Sequence, residues 1–181
     1  MSTIAPIDYI LEYLKTSTID SEDRKRYEKR IQSDLLTRQE NSFSHFCSMF
    51  IPYDEANRKV LLVHHKKAQS WVFPGGHMEY GESPTETALR EATEELGLRK
   101  KDVHLEGPIS LQVCDINNPV QICREHFDLF FILYVNLHNV KVDRVEVFNS
   151  AWITVEDAGS IITLNYYKKA LKRFKKYVEY I

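Results

Sequence analysis

The stretch from Gly76 to Leu98 constrains this chain more than any other. It reads Gly76, five residues, Glu82, seven residues, then Arg90-Glu91-Ala92-Thr93-Glu94-Glu95-Leu96-Gly97-Leu98. The breakers Pro74, Gly75, Gly76 and Gly81 make its first half a loop by expectation. A helix is predicted to follow at once. Ser83 is a good N-cap, Pro84 suits the first helical position, and Glu86 completes a capping box with Ser83. Gly97 stands where a left-handed cap would stop the helix.

Wound at ~100° per residue, the helix carries Thr85, Ala88, Leu89, Ala92 and Leu96 on one face, which is assigned to the core. Glu91, Glu94 and Glu95 cluster on a flank of the other side, at spacings that let their carboxylates converge. A solvated acidic face accounts for Glu86, Arg90 and Glu94, which form a four-spaced ion-pair ladder by spacing. It does not account for Glu91 and Glu95. Those are like charges four residues apart, neither has a cation at that spacing, and such pairs repel. A divalent ion turns the repulsion into binding, and carboxylates with a backbone carbonyl form a hard oxygen site suited to Mg²⁺ or Mn²⁺.

The glycine, the glutamates, the arginine and the two apolar slots held by Ala92 and Leu98 resemble the signature box of the Nudix hydrolases at every fixed position. The box itself covers only Gly76 to Leu98. The resemblance extends upstream through Trp71-Val72-Phe73-Pro74-Gly75-Gly76-His77-Met78-Glu79, and to His45 and Val63-His64-His65-Lys66, which are similar to an unassigned MutT-like branch of bacteria and archaea.

The 181 residues suit one domain with an appendage, and a hydrophobic share of 43% is enough for a core. Residues 1–40 read as an α-helical N-terminal extension and 41–181 as the main domain. In the extension, Ile7, Ile10, Leu11 and Leu14 share one helical face; a second helix capped at Asp20 or Ser21 carries Tyr27, Ile31 and Leu35 on one stripe. The extension is expected to be a packing element, with a lid or a homodimer contact as its functional alternative. Strands are predicted over Phe43–Pro52, Lys59–Lys66, Trp71–Phe73, Ile109–Asp115, His126–Leu137 and Val147–Thr154. Asn165–Ile181 is expected to be a helix with Leu171, Phe174, Val178 and Ile181 on its apolar face. This order fits an α/β fold, a mixed sheet with helices on both sides; the Nudix resemblance implies the same α/β/α sandwich.

A net charge of −2 argues against nucleic-acid binding through bulk charge. No apolar run approaches a membrane span, and the N-terminus lacks a signal-peptide pattern. Three cysteines outside any Cys-x-x-Cys pair are expected as free thiols in a reducing cytoplasm. Cys114 and Cys123 flank a hairpin centred on Asn118-Pro119, where two buried thiols are expected over a disulfide. The basic run Lys168, Lys169, Lys172, Arg173, Lys175 and Lys176 is read as the solvent face of a docked helix rather than a track for RNA.

The resemblance implies Mg²⁺- or Mn²⁺-dependent hydrolysis of a nucleoside diphosphate linked to another moiety, with a small-molecule nucleotide as partner. It implies that Glu91, Glu94 and Glu95 hold the metal with the carbonyl of Gly75, and that Arg90 orients the glutamates, with phosphate binding as its second role. Glu82 would stand behind these ligands or hold an additional ion. The general base would be Glu91 or Glu94 of the box or Glu146 of a later loop; the plain alternative for Glu146 is a solvated acid beside Arg144. His45, His77 and His126 form a substrate-recognition set, and no paired His/Cys spacing calls for zinc. His64 and His65 are expected on opposite faces of their strand.

The substrate subclass does not follow. Val113 stands where many ADP-ribose hydrolases have proline, Pro74-Gly75-Gly76 replaces the Pro-Lys-Gly of the diadenosine-polyphosphate branch, and the NADH-hydrolase segment Ser-Gln-Pro-Trp-Pro is missing. Two other classes compete: a nucleotide-sensing Nudix module without turnover, against which the intact box speaks, and an isopentenyl-diphosphate isomerase, which would need a catalytic cysteine. Cys47 lies near His45, but in the wrong context.

Overall fold

The computed structural model describes residues 5–119 and 121–179. Two helices come first, α1 (Pro6–Thr16) and α2 (Ser21–Ile31), followed by strands β1 (Ser44–Asp54), β2 (Lys59–His65), β3 (Ser70–Val72) and β4 (Gly75–His77). Helix α3 (Pro84–Leu96) precedes β5 (His104–Asp115), β6 (Glu125–Tyr134) and β7 (Val147–Thr154), and the chain ends in α4 (Ala158–Ile161) and α5 (Asn165–Val178). Among the described residues no helix is long and apolar enough to cross a membrane.

The strands form one mixed α/β sheet in the order β3-β2-β1-β6-β5, with β4 on β1 and β7 on β2. Only β1 and β6 run parallel among the strand pairs, from Ser44↔Glu125 to Tyr53↔Tyr134. Both faces of this central pair are covered, which is why β1 and β6 read as nearly unbroken apolar runs. One face, with Met49, Ile51, Phe130 and Ile132, packs against Tyr167, Ala170, Leu171 and Phe174 of α5. The other, with Phe46, Phe50, Phe127 and Phe131, packs against α1, α2 and α3. Strand β1 divides one edge between two neighbours: Tyr53 and Asp54 pair with β2, whereas Cys47, Ser48 and Met49 pair with β4. The sheet therefore splays between β1 and β2, and a cavity opens there.

Several details depart from the sequence reading. Gly75–His77 is a short strand rather than loop, because β1 extends past the end of β2 and offers β4 an edge. Leu11 and Leu35 are exposed, while Leu36, past the end of α2, is buried in their place. Ile181, assigned to the apolar face of the last helix, lies outside the described residues; Leu171 and Phe174 are buried as expected.

The N-terminal helices share the main core. Tyr27 Oη donates to the Asp128 carbonyl at 2.8 Å, and Arg26 spans Asp115 and Glu125. Helix α5 is fastened to them by charge. Lys169 pairs with Asp20 and Asp23, and Arg173 pairs with Asp20 while donating to Thr18 O, Ser110 Oγ and Leu111 O. These two cations therefore point inward, a correction to the all-solvent reading of the basic face.

Phe174 is fully buried and meets Tyr53 edge-on at 5.1 Å. Phe174→Ala is expected to cost ~3–5 kcal/mol in denaturant unfolding. Changing Lys168, Lys172 and Lys175 together to Gln should move the melting temperature by only a few degrees, since exposed charges contribute little.

Candidate active site

Helix α3 is built as its sequence dictates. Ser83 Oγ accepts from Glu86 N, Glu86 accepts from Ser83 N at 2.8 Å, and Gly97 closes the C-terminus at φ +64°. Ala88, Ala92 and Leu96 anchor it on the core, which turns Glu91, Glu94 and Glu95 toward a cavity of 180 Å³ with Glu146 on its other side. A larger cavity of 600 Å³ adjoins it in the splay of the sheet and shares Val63, Glu95 and Glu146. Its wall includes Met49, Val72, Phe73, Tyr166 and Tyr167, with Arg38 and Lys67 as cations and Asp115 and Asp128 as further acids.

Arg90 organises the acids. Its Nε donates to Glu82 Oε1 at 2.8 Å, Nη1 to Glu91 Oε1 at 2.7 Å and to Glu94 Oε2 at 3.1 Å, and Nη2 to His77 O at 3.0 Å and Glu82 Oε2 at 3.1 Å. A guanidinium has five N–H donors, and all are engaged. This supports the orienting role and leaves no donor for a phosphate. The expected ladder forms on one side and is corrected on the other: Arg90 pairs with Glu94, but Glu86 serves the capping box instead of Arg90. Glu91, without a cation four residues away, pairs with the arginine beside it. Both oxygens of Glu82 are engaged, Oε2 also by Thr87 Oγ1 at 2.8 Å and Glu79 N at 3.2 Å, so it sits behind the acid cavity as the anchor of Arg90.

Glu95 receives no such cation. Its Oε2 accepts the Gly75 N–H at 2.9 Å, and burial, followed by the charge of Glu91, pushes its carboxyl up to about 8. Burial also raises Glu91, against the pull of Arg90. Glu91, Glu94 and Glu95 line one cavity, but among the described residues they do not form a set of oxygens all within 4.8 Å of one another. Arg90 draws the first two to itself and away from the third. Even so, the donors fit a hard divalent cation: they are carboxylate oxygens, two of them on partly buried side chains with raised carboxyls, whose charged form a cation would favour.

Glu146 lies at the junction of the two cavities, but its neighbours are not the expected ones. Lys67 Nζ stands 2.7 Å from its Oε1 and His65 Nε2 3.6 Å from its Oε2, and the Lys67 hydrogen bond holds its carboxyl below the usual range. His64 packs on Trp71 and Phe148 while His65 lines the larger cavity, so the two separate as expected.

The three predicted histidines do meet. His45, His77 and His126 have ring centroids 4.7–5.1 Å apart, and burial holds each imidazole below its ordinary pKa, His77 to about 2 and His126 to about 3. His77 and His126 line the larger cavity; His45 is wholly buried behind them. Sequence reading missed the fourth member, Cys123, in the loop before β6. All three cysteines are buried free thiols; Cys114 turns to Asp128, not to Cys123. Burial pushes the Cys47 thiol far above its ordinary range, an environment that does not favour a reactive thiolate.

Comparison with known proteins gives a consistent picture. A family model described as the NUDIX domain matches residues 44–176. An m7GpppN-mRNA hydrolase of Xenopus laevis is 48% identical over 52 residues, 26% of this chain and 18% of that protein. An RNA pyrophosphohydrolase of Pectobacterium atrosepticum is 56% identical over 36 residues, 20% of each chain. The chain thus spans about a fifth of the length of these curated relatives. The crystal structure of a NUDIX-family hydrolase from Clostridium perfringens superposes with a TM-score of 0.55 at 26% identity, covering 71% of this chain and 96% of that one.

Two adjacent glycines make opposite predictions. A Cβ at Gly75, where φ is +135°, would lie 2.4 Å from the Ser48 carbonyl oxygen, so Gly75→Ala should destabilise the fold markedly. A Cβ at Gly76 would lie 2.0 Å from Glu91 Oε1, the movable end of a side chain. Gly76→Ala should therefore melt within a few degrees of wild type yet displace Glu91, with a loss of roughly 10–100-fold in divalent-metal affinity by isothermal titration.

Proposed function

The chain belongs to the NUDIX domain family, whose model spans residues 44–176, and on that premise we propose that it hydrolyses a pyrophosphate bond in a nucleoside diphosphate linked to another moiety, with Mg²⁺ or Mn²⁺ as cofactor. The observation that carries this reading is the junction of the two cavities at Glu95 and Glu146. It sets a carboxylate-lined recess beside a space large enough for a nucleotide. Residues 41–181 are the proposed hydrolase domain and 1–40 its helical extension.

Glu91, Glu94, Glu95 and the carbonyl of Gly75 would hold the metal. When bound, the ion neutralises the diphosphate, polarises its phosphorus–oxygen bonds and acidifies water. The chain's own groups do the rest. Arg90, fixed on Glu82 and the His77 carbonyl, holds Glu91 and Glu94 in register with the cavity. Lys67 offers a cation at the mouth of the larger cavity. Val72, Phe73, Tyr166 and Tyr167 exclude water and give a flat base an apolar bed. We assign the proton acceptor to a glutamate of the box, Glu91 or Glu94, rather than to Glu146, whose carboxylate is engaged by Lys67 at 2.7 Å.

Small nucleotides fit the charge distribution better than RNA, because Lys169 and Arg173 are committed to Asp20 and Asp23 and the basic face of α5 is interrupted. Phosphate release should be measured on a panel of nucleoside triphosphates, nucleotide sugars, dinucleoside polyphosphates and a 5′-triphosphorylated RNA. Turnover of at least one small nucleotide, abolished by EDTA, is expected. Binding without turnover across the panel would favour a nucleotide sensor.

Glu95→Gln should lower turnover by ~10²-fold or more, with its fold intact. Glu146→Gln should leave kcat nearly unchanged at normal Mg²⁺ affinity. A large kcat loss there would move the base to Glu146.

A further inference from the structure

Three imidazoles and a thiol that the proposed hydrolysis does not use converge at one end of the larger cavity. Strand register brings them there. His45 in β1 stands opposite His126 in β6, and His77 in β4 stands opposite Cys47, two residues along the same face of β1 from His45. Cys123, in the loop that leads into β6, places its Sγ 3.7 Å from His45 Nε2 and 4.0 Å from His77 Nε2. One ligand atom from each of the four lies within 4.8 Å of all the others. Tetrahedral zinc, at about 2.0–2.1 Å to nitrogen and about 2.3 Å to sulfur, holds its ligands roughly 3.3–3.6 Å apart. Small rotations of side chains bring this cluster to that spacing.

Two further observations point to an ion. The Nε2 of His126 is buried and has no hydrogen-bond partner, an uncommon state for a polar atom that a metal–nitrogen bond would relieve. His45 Nδ1 lies 2.9 Å from the Asn41 carbonyl oxygen. That acceptor takes the Nδ1 proton, so the Nε2 lone pair faces the cluster, the orientation an outer carbonyl imposes on a ligating histidine.

We propose that His45, His77, His126 and Cys123 form a closed four-ligand site for zinc, distinct from the glutamate recess and different from it in chemistry. Imidazole and thiolate select a borderline-soft ion, whereas the glutamates select a hard one. Binding replaces the Cys123 thiol proton with a metal–sulfur bond and releases that proton to solvent. The consequence for the fold is a staple. Residues 116–124 contribute Ile116, Asn117, Pro119 and Gln121 to the wall of the larger cavity. Joining Cys123 to three strands fixes that wall, so the ion shapes the substrate space without touching the hydrolytic recess. Only part of this site's fingerprint is visible in sequence spacing: Cys123 and His126 stand three residues apart, but His45 and His77 come from two distant strands.

The test is a cobalt titration of the full chain, stripped of metal, in excess Mg²⁺ so that the carboxylates are occupied. One equivalent of Co²⁺ should give the intense visible bands of a tetrahedral ion and a sulfur-to-cobalt charge-transfer band, and one equivalent of zinc should bleach both. Cys123→Ser should lose the charge-transfer band and His126→Ala the tetrahedral intensity, while Glu95→Gln should keep both even if it has lost turnover. A weak octahedral spectrum in wild type overturns the proposal. So does a charge-transfer band that survives Cys123→Ser or disappears instead in Cys47→Ser, since Cys47, His126 and Asp128 form a neighbouring three-ligand set. Should a variant misfold, equilibrium dialysis of wild type against zinc in excess Mg²⁺ decides: one ion per chain supports the site, and none overturns it.

Discussion

The guanidinium of Arg90 is the constraint on which the rest of this site depends. Its five donors reach three glutamates and one strand carbonyl, outward from the edges of one plane of atoms. Charge-assisted bonds of this kind are stronger than neutral ones, and the planar fork fixes direction as well as distance. Without that cation, a helix presenting Glu91, Glu94 and Glu95 beside Glu82 would repel itself. With it, Glu82, Glu91 and Glu94 each have a cation, and Glu95, whose carboxyl burial and the charge of Glu91 push up to about 8, has none among the described residues. The arginine thus leaves one buried acid unsatisfied by any side-chain cation, and the hydrolytic reading rests on that acid.

The second constraint is the divided edge of β1. Because β2 and β4 share that edge, the sheet opens where their connection through β3 passes, and the larger cavity occupies the gap. The apolar side chains that line it are continuous with the core beneath α5. Substrate space and hydrophobic core are therefore one packing problem, while the ion pairs of Lys169 and Arg173 fasten α5 beside β5, the far edge of the sheet order.

What could be read from the sequence was local. Helix α3, its caps and its apolar face follow from residues a few positions apart, and so do most strands. What could not be read depended on distant neighbours. Three residues, two of them glycines, carry no strand signal; Gly75–His77 becomes one only because β1 supplies an edge. Arg90 was assigned to Glu86 by helical spacing, yet a loop glutamate and the residue next to it compete better. For Glu146, proximity in sequence offers Arg144 only as the plain alternative to a role as base, and the fold gives it Lys67 as a partner. The three histidines are legible one by one, and Cys123 stands only three positions before His126, but the approach of that pair to His45 and His77 is a product of strand register, which no local spacing encodes.

Strand β4 divides its labour by parity. Gly75 gives its N–H to Glu95, Gly76 leaves the room that Glu91 occupies, and His77 lends its carbonyl to Arg90 and its ring to the imidazole cluster. Successive residues of a strand face opposite ways, so one inserted or deleted residue between Pro74 and Met78 exchanges every one of these assignments at once. The segment is therefore fixed in length as well as in composition. The turn through Tyr80 and Gly81 is bound in another way: a Cβ at Gly81 would have room, but its φ of +83° favours glycine, whereas between Pro74 and Met78 residues can be exchanged only at constant count.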